Sequence, residues 1–518
     1  MSGAKDYDVA IVGCGPAGIV AAALLGQQGL GVYVCERLPG VYEIPRAISL
    51  DHEIQRVFQQ IGVMEAVAAY CEPFTPSEYF GVDGRLIRRM TMVEPPYPQG
   101  YTPSVVFTQP PVERALRARV GLLPNVVVEL GVEMTRIVQD DGGVSLSVVD
   151  GGHSKQVRAK YAIACDGASS TVRTQLDMAL DDLDFDEPWL VVDVLVNEQG
   201  LRRLPKVSVQ YCEPERPCTL VIGPKNHRRW EISLKPGENP EQIASAEETW
   251  KLLSRWLKPE EGELWRQASY RFHALVARDW RKGRVFLAGD AAHMQPPFLG
   301  QGMCQGIRDV ANLSWKLGAV LRREVQGSAA AELLDSYGAE RKAHVRELTS
   351  RIKGVGAVIC ERDPAKARAR DEKLLADAGG IVKDTPRQDI LPRLETGLLA
   401  SRDHAARGSL FPQPWLLQAG VRKRMDEVIG NGWRLVLAAG VPKPTPGESA
   451  VPPGLQVLRM DENTEAEGVG AAWLHRHGCV AALVRPDNYV YGVAVSTQAI
   501  TALLDEAANA LGVSLCPL

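Results

Sequence analysis

The first forty residues alternate between short apolar runs and glycine-rich turns, a pattern typical of a βαβ unit. The run Y-D-V-A-I-V-G, which begins at Tyr7, is rich in β-branched residues and predicts a buried parallel strand. The segment G-P-A-G-I-V-A-A-A-L-L-G-Q-Q-G then predicts a helix, and G-V-Y-V-C-E-R predicts a second strand. One βαβ unit of about 30 residues is therefore expected at the start of the chain.

The middle of the chain has a different pattern. Residues 126–163 form short alternating runs between Asp/Gly turns and predict an antiparallel meander inserted into the α/β domain. Residues 181–274 are rich in strand formers and predict a second sheet. The buried-strand pattern then returns in R-V-F-L-A-G-D, and long helices are predicted over residues 302–323 and 333–352. One α/β domain is thus expected from two separated pieces with a sheet domain between them.

The last third of the chain predicts a charged helix, a connector and a small α/β domain. Asp363 before Pro364 suits a helix N-cap followed by a first-turn proline, so a helix is predicted over residues 364–376. Residues 386–408 are predicted to be the connector. Two further apolar runs and a helix over residues 498–511 complete the small domain.

Composition and charge exclude several classes of function. The 518 residues are 45% hydrophobic and 24% charged, which is ordinary for a globular protein of about three domains. The net charge of -4 provides no basic surplus for binding nucleic acid. The 10 cysteines include no C-x-x-C pair and indicate reduced thiols in a cytoplasmic protein.

Neither a membrane segment nor a metal site is predicted. The apolar stretch over residues 9–25 resembles a signal peptide, but Asp6 and Asp8 flank it and its middle is G-C-G-P. The segment H-R-H-G-C, which begins at His475, has metal-binding residue types at spacings too tight for the usual zinc patterns.

The sequence G-C-G-P-A-G places three glycines between the first predicted strand and helix. Gly13 permits a tight turn, Gly15 allows a pyrophosphate to approach the backbone, and Gly18 lets the helix pack closely on the strand. Glu36 ends the next strand and is suited to accept hydrogen bonds from a ribose. The motif predicts a dinucleotide and leaves FAD and NAD as alternatives.

A second chemical element follows the strand R-V-F-L-A-G-D. This strand delivers Gly289 and Asp290 to its carboxyl end, where ligands bind in α/β sheets. Asp290 is suited to hold a ribose or ribityl hydroxyl. Gly300 and Gly302 bring backbone amides close to a ligand at the start of a long helix, whose N-terminus would stabilise negative charge on a reduced flavin.

With these residues in view, the chain resembles the class A FAD-dependent aromatic hydroxylases, which are flavoprotein monooxygenases. Three signatures of that family occur in order: G-C-G-P-A-G with Glu36, then C-D-G-A-S-S-T-V-R from Cys165, then G-D-A-A-H followed by P-P-F-L-G-Q-G-M. The segment P-R-A-I-S-L-D-H-E and the helix D-V-A-N-L-S-W-K-L are similar to the 3-(3-hydroxyphenyl)propionate hydroxylase branch.

The resemblance implies an α/β fold of three parts. A Rossmann-like FAD-binding domain is expected from residues 1–180 and 276–385, and a mixed-sheet substrate domain from residues 181–275. A C-terminal thioredoxin-like domain is expected over residues 395–518, and it should be redox-inert because it has no C-x-x-C.

The resemblance also implies which residues contact FAD. The glycine turn would cradle the pyrophosphate, and Glu36 would bind the adenosine ribose. Residues of the third signature would line the flavin ring and its sugar chain, with Arg173 supporting the fold of the second. The complete set of expected cofactor contacts is Gly13, Gly15, Pro16, Ala17, Gly18, Glu36, Arg37, Arg46, Gln109, Asp166, Gly289, Asp290, Pro297, Gly300, Gln301, Gly302 and Met303.

By the same resemblance, NADH or NADPH is expected to bind transiently and to reduce FAD. A flavin C4a-hydroperoxide formed with O2 would then hydroxylate a small phenolic or related aromatic substrate in aromatic catabolism. A base near the substrate hydroxyl is expected. The candidates, by residue type and region, are His52, Tyr211 and His273. The R-R-W-E segment that begins at Arg228 is expected to be a solvated strand face, with an arginine near a substrate carboxylate as the alternative.

Other functions remain open at this stage. A flavoprotein of the same fold could act as a reductase or halogenase, although the halogenase motif W-x-W-x-I-P is absent. A non-catalytic flavin-binding scaffold is a further alternative. A homodimer is one assembly that we consider.

Overall fold

The computed structural model describes residues 6–444, 450–461 and 464–513. The helices are α1 (Pro16–Gln27), α2 (His52–Ile61), α3 (Met64–Ala68), α4 (Gln109–Val120), α5 (Thr171–Gln175), α6 (Glu198–Arg203), α7 (Pro240–Ile243), α8 (Ala246–Leu253), α9 (Gly302–Leu321), α10 (Gly327–Ile359), α11 (Pro364–Asp377), α12 (Met425–Ile429), α13 (Val469–Arg476) and α14 (Gln498–Ala510).

The strands form several sheets. They are β1 (Asp6–Val12), β2 (Val32–Glu36), β3 (Ser49–Asp51), β4 (Cys71–Pro73), β5 (Ser77–Phe80), β6 (Leu86–Thr91), β7 (Ser104–Phe107), β8 (Val126–Leu130), β9 (Val132–Asp140), β10 (Gly143–Asp150), β11 (His153–Ala164), β12 (Leu180–Val196), β13 (Ser208–Tyr211), β14 (Cys218–Ile222), β15 (His227–Ser233), β16 (Gly262–Ala277), β17 (Arg281–Lys282), β18 (Val285–Leu287), β19 (His293–Met294), β20 (Asp384–Pro386), β21 (Trp415–Gln418), β22 (Val421–Arg424), β23 (Arg434–Leu437), β24 (Gln456–Arg459), β25 (Ala481–Val484) and β26 (Val490–Ala494).

The first sheet has the order β17-β18-β11-β1-β2-β8. Its strands β18, β11, β1, β2 and β8 are parallel. The predicted βαβ unit is confirmed by β1, α1 and β2. Because β1, β11 and β18 are parallel neighbours, the turns at their carboxyl ends meet at one edge of the sheet, although they are far apart in sequence.

The predicted meander is only partly correct. Strands β9, β10 and β11 are antiparallel neighbours, as expected. Strand β8 is not part of that meander, because it pairs in parallel with β2 at the edge of the first sheet. Short strands with β-branched residues fit either arrangement, because β-propensity does not specify the partner strand.

The second sheet has the order β19-β16-β12-β15-β14-β13-β5-β6-β20. It therefore includes strands from outside residues 181–275, namely β5, β6, β19 and β20. One face packs an apolar core that includes Leu190, Leu220 and Trp230 with helix α8. The opposite face looks toward the carboxyl edge of the first sheet.

A third sheet lies near the C-terminus, in the order β24-β23-β25-β26. Strands β23 and β24 are parallel, whereas β25 is antiparallel to both β23 and β26. One face packs on α14 and on Trp315 of α9, so this sheet shares a core with the long helices. In the part of the chain that the structure describes, no helix is long and apolar enough to cross a membrane.

Candidate functional site

The glycine turn after β1 is a tight backbone cradle. Gly13 has φ of +99°, and a Cβ added there would lie 2.3 Å from the carbonyl oxygen of Cys165. A Cβ on Gly18 would lie 2.0 Å from the carbonyl oxygen of Gly13, so α1 can pack this close to the turn only because residue 18 is glycine. A Cβ on Gly15 would meet nothing within 4 Å, which leaves this backbone open to a ligand.

Glu36 stabilises this turn directly. Its Oε2 accepts a hydrogen bond from the Cys14 amide at 2.8 Å, and its Oε1 accepts one from the Leu38 amide at 2.9 Å. The side chain is half-buried, whereas Arg37 is exposed. Glu36 and Arg37 do not line the cavity described below, so the predicted contact of Glu36 with a ribose and that of Arg37 with the cofactor stay predictions.

The turn after β11 contains a buried carboxylate with an unused oxygen. Asp166 Oδ2 accepts from the Val172 amide at 3.1 Å, while Oδ1 is buried and has no partner among the described residues. Burial raises the pKa of Asp166. Arg173 donates to the carbonyl oxygens of Ala291 and Ala168, at 2.9 and 2.7 Å. It therefore connects this turn to the one after β18.

The turn after β18 brings Gly289 and Asp290 beside the glycine turn. A Cβ on Gly289 would be 3.3 Å from Cβ of Ala17, so the first and third signatures touch. The Gly289 amide donates to Asp309 Oδ2 at 3.0 Å, and His293 Nε2 lies 2.7 Å from the same oxygen. Asp309 thereby holds the turn in place through these two contacts. The Asp290 side chain is exposed and lines the cavity described below.

The loop before α9 is held by close backbone contacts. Gly300 has φ of +57°, and a Cβ there would lie 2.4 Å from Ser49 Oγ. Pro297, Gly300, Gly302 and Met303 line the cavity. Gln301 is buried but does not line it, and its Oε1 accepts from Arg308 Nη1 at 2.9 Å.

Gln109 positions the segment that carries Arg46. Gln109 Oε1 accepts from the amides of Arg46 and Ala47, at 2.9 and 2.5 Å, and its Nε2 donates to Glu113 at 2.6 Å. Gln109 is buried, whereas the Arg46 guanidinium is exposed. Both residues line the cavity, and Gln109 acts there as a support for the backbone.

All these turns open into one cavity of about 530 Å³, which we call the central cavity. Its first wall is the carboxyl edge of the first sheet, with Gly15, Asp290 and the loop before α9. The opposite wall is the cavity-facing side of the second sheet, and we give the name sheet floor to five polar residues of this wall. The sheet floor consists of Gln210, Thr219, Arg229, Glu231 and Arg266.

A buried ion cluster supports the sheet floor. Asp193 Oδ1 accepts from Arg229 Nε at 2.7 Å and lies 2.6 Å from His227 Nε2, and Oδ2 is 3.6 Å from Arg266 Nε. Burial by itself would favour the neutral acid, but the Arg229 guanidinium holds the pKa of Asp193 well below its usual range. Burial lowers the pKa of His227. Asp193 is therefore an anion held between buried cations.

Arg229 and Arg266 are also bonded to the segment that contains Arg46. Arg229 donates to the carbonyl oxygens of Arg46 and Pro45, at 2.7 and 3.2 Å. Arg266 donates to the carbonyl oxygen of Pro45 as well. The expectation of a solvated face for R-R-W-E is therefore wrong for Arg229, Trp230 and Glu231, which are buried because β15 is an interior strand.

The three candidate bases lie in different environments. His273 lines the cavity, with Nδ1 3.7 Å from Asp186 Oδ1. Tyr211 does not, because strand alternation turns it to the other face, where its hydroxyl accepts from Trp256 Nε1 at 3.0 Å. His52 is fully enclosed outside the cavity, and burial lowers its pKa to about 4.

Sequence reasoning missed the sheet floor. The signal that could have found it is the period of two in β13, β14 and β15, which places Gln210, Thr219 and Glu231 on the face opposite the apolar core. Glu231 is 8% exposed, and burial raises its pKa to about 7. Among the described residues, no group of three or more metal-ligating side chains is found.

Comparison with known proteins gives a consistent result. A family model described as an FAD binding domain matches residues 6–352. A protein of Rhodococcus jostii (strain RHA1), named a probable NADH-specific resorcinol 4-hydroxylase, is 35% identical over 520 residues, covering 98% of this chain and 95% of the relative. A 3-(3-hydroxy-phenyl)propionate/3-hydroxycinnamic acid hydroxylase of Burkholderia cenocepacia (strain HI2424) is 31% identical over 541 residues, covering 97% and 98%.

A solved structure has the same fold. The ternary complex of aklavinone-11 hydroxylase with FAD and aklavinone superposes with a TM-score of 0.80 at 22% identity, covering 98% of this chain and 100% of that chain. At this identity the likeness concerns the fold.

The residues in and next to the central cavity fit FAD; Gly13, Gly18 and Asp166 do not line it themselves, but Gly15 and Gly167 of the same turns do. The cradle at Gly13 and Gly18 leaves no room for side chains, Gly15 is open, and Asp166 has a buried oxygen without a partner in the described chain. Asp290 adds an exposed carboxylate at the same sheet edge. These features suit a pyrophosphate and a hydroxyl-bearing chain. Together with the family match and the relatives, they show that this chain belongs to the FAD-dependent aromatic hydroxylases, within the family defined by their FAD binding domain.

Proposed function

We propose that this chain is a monooxygenase that hydroxylates a small phenolic substrate with FAD, NADH or NADPH, and O2. The observation that carries the proposal is the common cavity: the glycine turn and Asp290 open into the same space as a sheet floor with polar and aromatic neighbours. The names of the two relatives, a resorcinol hydroxylase and a hydroxyphenylpropionate hydroxylase, support a phenol as the substrate class.

The expected cofactor contacts remain our assignment for this site. The glycine turn (Gly13, Gly15 and Gly18) would hold the pyrophosphate through backbone amides and the N-terminus of α1. The chemistry supplied by bound FAD is the transfer of reducing equivalents from NADH or NADPH to O2, with insertion of one oxygen atom into an aromatic ring. The remaining assigned contacts are Pro16, Ala17, Glu36, Arg37, Arg46, Gln109, Asp166, Gly289, Asp290, Pro297, Gly300, Gln301, Gly302 and Met303.

The protein itself orients the substrate and limits access of water. Tyr79, Phe272 and Phe298 line the central cavity with Val191 and Leu299, so an aromatic ring would find an apolar enclosure. An enclosed, apolar site favours productive oxygen transfer because water that enters diverts the oxidant into hydrogen peroxide. Of the three candidate bases, His52, Tyr211 and His273, it is His273 that lines this cavity.

We also propose the division into an FAD-binding domain, a substrate domain and a thioredoxin-like C-terminal domain over residues 395–518. The third sheet supports the thioredoxin-like assignment. In its order β24-β23-β25-β26, the first two strands are parallel and the next two strands are antiparallel, and helix α14 follows β26 in the chain. We propose a cytoplasmic location, which is supported by cysteines that are free in the described chain. A homodimer is the assembly we would test first.

The proposed function is tested with the purified protein and a panel of phenols. We expect a yellow protein that oxidises NADH or NADPH faster when resorcinol or another phenol is present, with O2 uptake and a product heavier by one oxygen atom. Oxidation of the nicotinamide without oxygen insertion into any phenol would indicate a reductase. Halogen insertion would indicate a halogenase, and FAD binding without any nicotinamide oxidation would indicate a scaffold. Each of these three results would refute the proposal.

A further inference from the structure

Glu231 points from the sheet floor into the central cavity. In the register of the second sheet, Gln210 pairs with Thr219, Thr219 with Glu231, and Glu231 with Val191. All four residues line the cavity. The adjacent residue Trp230 faces the apolar core on the other side, as strand alternation requires. The direction of the Glu231 side chain is therefore set by the sheet.

Among the residues that the structure describes, none forms a hydrogen bond or ion pair with the Glu231 carboxyl, which is accessible from the cavity. Its neighbours already have partners of their own. Thr219 Oγ1 donates to Gln210 Oε1 at 2.5 Å. Arg229 is bonded to Asp193 and to two backbone carbonyls. A buried carboxyl without a partner is costly, so a hydrogen-bond donor from the substrate is expected to complete it.

The charges around Glu231 disfavour a substrate carboxylate. From the neighbouring strands, Asp193 on β12 neutralises Arg229 on β15 and lies near Arg266 on β16, and both arginines also bind carbonyls of the segment before α2. Asp193 and an ionised Glu231 together balance the two positive charges of Arg229 and Arg266, so this cluster has no positive charge left over for a substrate carboxylate. A carboxylate placed against Glu231 would meet a like charge in a poorly solvated site, whereas a phenol would donate its hydrogen bond.

Resting on the proposed function, we propose that Glu231 accepts the proton of a phenolic hydroxyl and selects uncharged phenols over phenols that carry a carboxylate. In this step the phenol O–H bond breaks and an O–H bond forms on the Glu231 carboxylate. The electron pair stays on the phenol oxygen, which makes the ring more electron-rich at the carbon that receives oxygen. Glu231 acts as a catalytic residue in direct contact with the substrate.

The acid strength of Glu231 suits this role. Burial raises the pKa of Glu231 to about 7, with Arg229 and Arg266 opposing the effect and Asp193 adding to it. His227, which contacts Asp193, has a pKa that burial lowers. The other charged, histidine or tyrosine side chains that line the cavity are Arg46, Tyr79, Tyr270, Arg271, His273, Asp290, His293 and Arg387. A base with a pKa near the working pH is available as the anion and still binds a proton strongly.

The test compares holoenzymes of the wild type, Glu231→Gln and Glu263→Gln. Glu263 is an exposed glutamate of β16 in the same sheet and serves as the matched control. In the wild type and the control, the affinity for resorcinol, measured by the change in flavin absorbance, and kcat should both rise through a pH of about 7. In Glu231→Gln this ionisation should disappear, and kcat should fall about 10²- to 10⁴-fold at unchanged FAD content.

Specificity provides a second measurement that does not depend on turnover. Oxidised wild-type holoenzyme should bind resorcinol at least about tenfold more tightly than 3-(3-hydroxyphenyl)propionate, and Glu231→Gln should narrow this ratio. If the wild type binds 3-(3-hydroxyphenyl)propionate as tightly as resorcinol, the proposed selectivity is refuted. This result needs only the wild type, so it holds even when the variant does not fold. A Glu231→Gln enzyme with the wild-type pH profile and kcat overturns the catalytic role. Absence of phenol hydroxylation in the wild type would instead refute the proposed function itself.

Discussion

Loss of the Asp193 charge should weaken the second sheet. The Asp193 carboxylate is fully buried and accepts hydrogen bonds from Arg229 at 2.7 and 3.2 Å, with His227 Nε2 at 2.6 Å. Asp193→Asn keeps the shape and removes the charge, which leaves the Arg229 guanidinium and the nearby Arg266 without their buried anion. Breaking a buried pair in this way costs about 3–5 kcal/mol.

Urea unfolding of the holoprotein at saturating FAD, followed by tryptophan fluorescence, measures this cost. Trp189 on β12 and Trp230 on β15 report on the sheet. The matched control is Asp186→Asn on the same strand, whose ion pair with Arg271 has side chains that are 47% and 62% exposed. Solvent screens such a pair, so the control should leave the free energy of unfolding nearly unchanged.

A double variant and the pH dependence of stability test the role of Asp193 further. The double variant Asp193→Leu with Arg229→Met removes both charges and should be more stable than the sum of the single variants predicts. The pKa of Asp193 is lowered by Arg229, so its contribution is present above its unfolded pKa of about 4 and is lost as the pH falls below that value. Strictly additive variants, or an Asp193→Asn protein as stable as the control, would show that the cluster contributes nothing.

Two other perturbations test the glycine turn and the contact between the C-terminal sheet and the long helices. Gly18→Ala places a Cβ 2.0 Å from the Gly13 carbonyl oxygen and should weaken FAD binding at least about tenfold in a flavin fluorescence titration. The control Gly354→Ala, whose Cβ would meet nothing within 4 Å, should bind FAD like the wild type. Equal affinities of the two variants would contradict the role of Gly18 in the FAD-binding turn. Glu340 is paired with Arg485 at 2.7 Å, and although burial alone favours the acid, Arg485 lowers the pKa of Glu340 from 4.5 to about 2. Its stabilisation is present above pH 4.5, and about 3 kcal/mol should be lost as the pH falls toward 2, so thermal unfolding of Glu340→Gln should depend less on pH over that range; an unchanged pH dependence would count against the pair.

The cofactor half of the cavity was largely readable from the sequence. The spacing of Gly13, Gly15 and Gly18 predicts a strand–turn–helix because local sterics alone decide whether a side chain fits there. The approach of Asp290 to this turn followed from a general property of parallel sheets, in which carboxyl ends share one edge. The strand β8 was misassigned because strand formers do not specify the partner strand.

The substrate half was not readable in the same way. The sequence R-R-W-E indicated an exposed strand, yet Arg229 and Glu231 are buried, because β15 lies between β12 and β14 and Asp193 compensates the arginine from a strand far away in the chain. Whether Tyr211 or Gln210 faces the cavity depends on register, which a single residue shift would reverse.

The sequence by itself determined the family, the dinucleotide cradle and the order of the chemical elements, because these depend on local backbone geometry and on residue types at fixed spacing. Only the tertiary structure decided which polar groups surround the substrate space and which of them have no partner. Strand pairing across distant segments sets burial and charge compensation, and those two quantities determine whether a carboxyl such as that of Glu231 is a solvated surface group or an unpartnered base in a cavity.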